Sequence, residues 1–324
     1  MITVLAGGVG AARFLSGLVR LVPPHEVTAV VNVGDDTVLH GLHISPDLDT
    51  VTYTLADAIN RELGWGLAGE TWHAMEALER YGGLTWFRLG DRDLATHLYR
   101  TQRLDEGATL TEVTDEIRRA WGLDLRLLPV SDDPVRTHVT ATVDGEVRDL
   151  GFQEYFVRHR HGVPVTEVRF EGADDAVVAE GVIPAVEDAD VVVVAPSNPI
   201  VSIGPVLAVP GVRDAVAARR DRVVAVSPII AGAALKGPAD RLLAELGHES
   251  SVVGVARLYR EVAATLVIDE ADVGLRDAVE AEGVRCVVAP TIMTGPAEAE
   301  SLAAVVVEAG RGAGGAGEAG GRDR

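Results

Sequence analysis

Four aspartates crowd one stretch near the N-terminus. "NVGDD" carries Asp35 and Asp36, and "SPDLDT" carries Asp47 and Asp49. Carboxylates this close repel one another unless a cation or hydrogen bonds hold them. Just upstream lies "AGGVGAARF", where Gly7, Gly8 and Gly10 let backbone amides come close to an anion at the start of a helix. Acids beside an anion loop suit a hard divalent ion, because magnesium takes few carboxylates, several waters and substrate phosphate oxygens. In an extended loop, residues two apart share a side. Asp47 and Asp49 are therefore the candidate metal ligands, Asp47 first. Asp49 has a competing role, capping a helix that starts near Val51.

The glycine loop is neither a full dinucleotide fingerprint nor a Walker A loop. Arg13, on the helix that follows, reaches either a phosphate or solvent. A second loop, "APSNPIVSIGPV", offers Ser197, Asn198 and Ser202. Asn198 bonds either a ligand's base or sugar, or its own turn. In a third, "VSPIIAGAALKGPADRLL", Lys236 and Gly237 precede a helix and form a candidate phosphate contact. "RLGDRDLATHLYRTQ" packs Asp91, Arg92, Asp93, Thr96, His97 and Arg100 into one segment. A helix beginning near Asp93 sets His97 and Arg100 on one broad face. There His97 transfers a proton, binds phosphate or satisfies a carboxylate, and the plainer alternative is an ion-paired helix edge.

Strands and helices must position these groups. "ITVLAGG" is an apolar strand. "VGAARFLSGLVRLV" has helical spacing at Phe14, Leu15, Leu18, Val19 and Val22, and "EVTAVVNVGDD" is a second strand. Together they make a parallel βαβ unit with a right-handed crossover. Helical spacing recurs at 51, 55, 59 and 63, then in "GETWHAMEALERYG", "RDLATHLYRTQRLDEG" and "TLTEVTDEIRRAWG", the last with a cap between Thr109 and Thr111. From about residue 125 the pattern alternates like strands, with a hairpin turn at Asp144–Gly145. "ADVVVVAPSNP", "DRVVAVSPI" and "RCVVAPTIM" return to continuous apolar runs, as in strands buried on both faces. Open α/β sheets bind ligands at the ends of such strands. The organisation expected is one α/β domain from 1–130 and 186–310, a smaller α+β insert at 131–185, and a flexible glycine-rich tail at 311–324.

The chain has 324 residues, a net charge of −20 and a pI near 4.8. Such a surface repels nucleic acids and anionic membranes at long range, so neither is an expected partner. The single cysteine, Cys286, excludes a disulfide within the chain and reads as a buried small hydrophobe. The N-terminus runs straight into a strand without a basic n-region, and no apolar run reaches membrane-spanning length. A cytoplasmic location is the expectation.

These blocks, in this order, resemble the 2-phospho-L-lactate transferase family of deazaflavin coenzyme biosynthesis, including its actinobacterial form. The likeness rests on "GGVGAARF", "NVGDD", "SPDLDT" followed by Tyr53, "LGDRDLATH", "LPVSDDPVRT", "FQEYFV", "APSNPIVSIGP" and "SPIIAGAALKGPA". It implies a Rossmann-like three-layer αβα fold with a mostly parallel sheet, a magnesium ion and a homodimer. It implies a reaction in which a guanosine-diphospho-activated three-carbon acid, enolpyruvyl or lactyl, passes its phospho-acid part to the terminal hydroxyl of the deazaflavin Fo, and GMP leaves. "GGVG" in place of the family's common "GGTG" favours the enolpyruvyl donor. The metal role falls on Asp47 and Asp49, and the guanosine diphosphate on the GGVG, SNP and KGP loops. The acceptor pocket falls on the acidic loop with Asp91, Arg92 and His97. Asp47, Asp36 and His97 are the candidate proton acceptors, with Arg92 beside them as a catalytic candidate.

Overall fold

The computed structural model describes residues 1–235 and 237–315. Its strands, in chain order, are β1 (Ile2–Ala6), β2 (Val27–Val31), β3 (Thr37–Leu39), β4 (Leu42–Ile44), β5 (Arg126–Pro129), β6 (Arg136–Val143), β7 (Glu146–Gly151), β8 (Val165–Glu171), β9 (Val191–Val194), β10 (Val223–Val226), β11 (Ile229–Ile230), β12 (Ala233–Ala234), β13 (Thr265–Ile268) and β14 (Arg285–Val288). Seven of them form one sheet in the order β14-β13-β10-β9-β1-β2-β5, every pair parallel. The valine-rich runs make this sheet because both faces are covered: β1, β2, β9, β10 and β13 are buried at every position. The architecture is a Rossmann-like three-layer αβα fold.

Helix α1 (Gly8–Leu21) follows β1 directly and buries Phe14, Leu15 and Leu18 on the sheet. Its other flank packs on the last helix, Pro296–Gly315. Gly17 makes that approach possible, because a Cβ there would meet the Ala299 carbonyl group and the Glu300 amide nitrogen. Gly17→Ala is expected to lower the unfolding free energy by about 1–3 kcal/mol through overpacking. Urea unfolding monitored by circular dichroism measures it.

Helix α2 (Pro46–Leu55) begins earlier and ends earlier than the apolar spacing at 51–63 predicts. Pro46 supplies the pre-set φ of a first helical position. Beyond Leu55 the chain turns at Asp57, whose φ is +54°. Helices α3 (His73–Arg80), α4 (Asp93–Asp105) and α5 (Leu110–Ala120) fall where the spacing predicts. The α5 cap is a capping box in which Thr109 Oγ1 accepts from the Glu112 amide and Glu112 bonds back to the Thr109 amide.

Strands β6, β7 and β8 form a separate antiparallel sheet in the order β7-β6-β8. Asp144 and Gly145, both at positive φ, make its two-residue turn. This small sheet is tied to the acidic loop: the Thr137 amide donates to the Gly34 carbonyl at 2.8 Å, and Gln153 Nε2 donates to the Asp35 carbonyl at 3.0 Å. The last helix continues to Gly315, past the point where the tail was expected to begin, and residues 316–324 lie outside the described ones. Among the described residues, no helix is long and apolar enough to cross a membrane.

Candidate active site

From β1 the chain builds outward to β2 and β5, and then returns to place β9 on the other side of β1. That reversal opens a crevice at the C-terminal ends of β1 and β9, the usual ligand position in such sheets. Both glycine- and serine-bearing loops enter it. Ser197 Oγ donates to the Gly7 carbonyl at 2.7 Å, joining the loop after β9 to the loop after β1. Gly7 has no room for a side chain: a Cβ would lie 2.6 Å from Ser202 Cβ and 3.1 Å from Asp47 Oδ2. Gly10 abuts the Pro196 carbonyl in the same way. Gly8 adopts φ +68° and its amide donates to the Asp47 carboxylate. The structure thus brings Gly7, Gly8, Gly10, Ser197, Ser202 and Asp47 together.

The acids next to this loop are buried. Asn32, just past β2, donates through Nδ2 to Asp47 Oδ2 at 2.9 Å and to Asp35 Oδ1 at 3.2 Å. Burial pushes the Asp47 carboxyl up to about 6, against the pull of its bonds from Asn32 and Gly8. Burial and the neighbouring Asp47 charge raise Asp35 well above the usual carboxylate range. Asp36 Oδ2 accepts from Ser45 Oγ at 2.7 Å, while its Oδ1 is buried with no hydrogen-bond partner among the described residues. Burial pushes the Asp36 carboxyl up to about 7.

A stability prediction follows from Asp36. The folded group titrates near 7 and the unfolded one near 3.8, so the native state binds the proton more tightly. Its contribution to stability is full below the unfolded value and is lost as pH rises through the folded one. In metal-free buffer Asp36→Asn, which cannot ionise, is expected to be more stable than the wild type at about pH 8, with the difference shrinking towards about pH 5. Thermal melts at both pH values test it, and a difference that does not change with pH contradicts it.

Other sequence candidates fall elsewhere. Asp47 and Asp49 lie on a helix, not in an extended loop, so two residues of separation turn them about 200° apart. Asp49 is not half of a metal pair with Asp47, because Arg100 occupies both its oxygens, Nη1 at 3.1 Å to Oδ2 and Nη2 to Oδ1. His97 is 1% exposed, and both of its ring nitrogens face protein groups. Its Nδ1 lies 3.3 Å from Arg100 Nη1 and 3.7 Å from Asp49 Oδ2, and its Nε2 lies 3.2 Å from Asp93 Oδ2. Tyr53 closes the cluster, donating to Asp93 Oδ1 at 2.6 Å.

Arg92 is exposed, and its Nη1 donates to the Ala68 carbonyl. Asp91 accepts from Thr71 Oγ1 and from the His73 and Ala74 amides, satisfying the first turn of α3. Asn198 bonds the Ile200 and Val201 amides of its own turn. Arg13 is exposed and donates to the Met293 carbonyl at 3.4 Å. Gly237 is exposed at φ +72°, while Lys236 lies outside the described residues.

Sequence reasoning passed over Asn32 and gave Asp35 no role. An asparagine at the C-end of a parallel strand, three residues before an acid, was the available signal. A cavity of about 270 Å³ opens beside the acidic loop, its walls including Asp35, Asp36, Trp86, Arg136, Phe152 and Gln153. Among the described residues, no group of three or more His, Cys, Asp or Glu side chains is set to hold a metal on protein ligands alone. The Asp35–Asp47 pair does fit a magnesium ion that takes the rest of its shell from water and phosphate, since two adjacent buried carboxylates share only one neutral amide donor.

Residues 2–292 match the family 2-phospho-L-lactate transferase CofD. A phosphoenolpyruvate transferase of Streptomyces griseus is 47% identical over 295 residues, covering 90% of this chain and 93% of its own. One from Mycolicibacterium smegmatis is 46% identical over 317 residues, covering 94% and 96%. A crystal structure of a Bacillus halodurans protein superimposes with a TM-score of 0.61 at 16% identity, covering 94% of this chain and 98% of its own, a likeness of fold alone. A glycine loop and buried acids at the sheet's reversal point, carried by a chain that matches over nine-tenths of its length, make this protein a member of the 2-phospho-L-lactate transferase family, a phospho-acid transferase.

Proposed function

We propose that the chain transfers the phosphoenolpyruvyl group from a guanosine-diphospho-activated donor to the terminal hydroxyl of the deazaflavin Fo, releasing GMP. The observation that carries this reading is the position of Asp47, bonded at once by the Gly8 amide of the anion loop and by Asn32. A carboxylate there sits where a phosphate oxygen and a cation would meet. The enolpyruvyl donor is supported by relatives named phosphoenolpyruvate transferases at 46–48% identity. The lactyl group of the family's own name is the alternative.

In this reading the Gly10 amide and Ser202 hold the donor's diphosphate, while the Gly8 amide and Ser197 Oγ, bonded to Asp47 and to the Gly7 carbonyl, shape the loops around it. The acceptor's reacting end enters the cavity between Trp86, Phe152 and Arg136. Its hydroxyl oxygen attacks the phosphorus bearing the three-carbon acid, and the bond from that phosphorus to the GMP oxygen breaks. Asp36 takes the hydroxyl proton, because its Oδ1 has no partner among the described residues and its acidity is shifted to about 7. Asp47 and Asp35 would hold magnesium, which supplies positive charge to the phosphate oxygens as GMP departs. Alignment of the hydroxyl by the cavity walls accounts for much of the rate. Assembly as a homodimer and a cytoplasmic location belong to the same reading.

The test mixes purified protein, magnesium, Fo and each activated donor, and follows GMP and product by mass spectrometry. Faster turnover with the enolpyruvyl donor is expected. No turnover with either donor overturns the proposal.

A further inference from the structure

Asn32 has no exposed surface and no role in the chemistry above. All of its side-chain bonding is directed. Nδ2 donates to one oxygen of Asp35 and one of Asp47, and Oδ1 accepts from the Gly34 amide at 2.7 Å. These partners dictate the amide's orientation, since a flipped group would set its oxygen against two carboxylates and its NH2 against an N–H. Asp35 belongs to the loop after β2, and Asp47 to the first turn of α2. Among the described residues, Asn32 is therefore the one side chain bonded to both acids, and the backbone of its own loop fixes it.

We infer that Asn32 is a positioning residue that sets the spacing of the Asp35–Asp47 pair for a divalent cation. The inference rests on the reading of those two acids as the cation's ligands. Two buried carboxylates without a donor between them would move apart or share a proton. A lysine or arginine in that place would neutralise the pair and displace the cation. A short neutral amide bonds both acids and leaves their charge for the metal. Groups of this kind, behind the ligands of a metal site, typically change metal affinity or activity by about 10- to 100-fold when removed.

Manganese(II) serves as the probe, added alone to the full-length protein and followed by electron paramagnetic resonance. Asn32→Ala and Asn32→Ser are expected to weaken its binding by about 10- to 100-fold. Both should lower kcat for GMP release, with a smaller change in KM for the donor. Serine keeps one donor, too few for two acids, and so decides the matter if the alanine variant does not fold. In the wild type, and without any variant, titration with magnesium should shift the Asn32 side-chain amide signals in a nitrogen–proton NMR spectrum. A folded variant that binds manganese as the wild type does, or amide signals that stay still while the wild type binds metal, overturns the inference alone. A wild type that binds no manganese overturns the assignment of Asp35 and Asp47, and the inference with it.

Discussion

Asp47→Asn is expected to lower kcat for GMP release on the order of 100- to 1,000-fold while leaving the protein at least as stable as before. The two effects share one cause. Asp47 is buried beside Asp35, and burial pushes its carboxyl up to about 6. A raised value means that the folded state resists ionisation, so the charged form is a cost to folding above that pH. Asparagine keeps the shape and removes the charge. In chelator-treated protein at about pH 8, the variant should therefore melt no lower than the wild type. Magnesium is expected to raise the melting temperature of the wild type and not that of the variant, because a ligand stabilises only the state that binds it. Full activity with an unchanged response to magnesium would remove Asp47 from the site.

Arg100→Met is expected to destabilise the fold by about 3–5 kcal/mol. The guanidinium is 2% exposed and meets both oxygens of Asp49, while reaching towards His97 and the His43 carbonyl. Its removal leaves Asp49 buried without its counter-charge. The double variant Arg100→Met with Asp49→Leu should recover much of the loss, since a buried ion pair replaced by apolar groups of similar volume is often neutral. Urea midpoints for the two single variants and the double give the coupling directly. A loss below about 1 kcal/mol for Arg100→Met would mean that the pair is not buried in solution.

The sheet was legible because its strands announce themselves. "VVVV" at 191–194 and the apolar runs at 27–31 and 223–226 have no polar face to hide, and glycine or proline closes each. The glycine loop and the serine loop each follow such a strand, whereas Asp47 stands on the first turn of α2. What failed was the step from spacing to partnership. Asp49 and His97 have the residue types of a reactive site, yet α2 turns Asp49 away from Asp47. Arg100, 51 positions later, then takes it up. Nothing local to "SPDLDT" signals that arginine. Asn32 was hidden for the opposite reason: it reads as the end of a strand, and its two acids declare themselves only after the chain has folded back.

The crevice joins segments made far apart in time. Ser197 bonds Gly7 across 190 residues, and β1 lies between β2, its near neighbour in sequence, and β9, a distant one. During synthesis at about 5–20 residues per second, the far edge of β1 waits roughly 10–40 s for its partner. Throughout that interval the strand offers a row of unpaired amides and carbonyls, the template on which chains join wrongly. A ribosome stalled before β9 would display an open-edged half-sheet with its glycine loop but no serine loop. Such a nascent chain needs shielding by a chaperone more than the finished protein does, and its nucleotide loops would not be complete until the segment after β9 has been made.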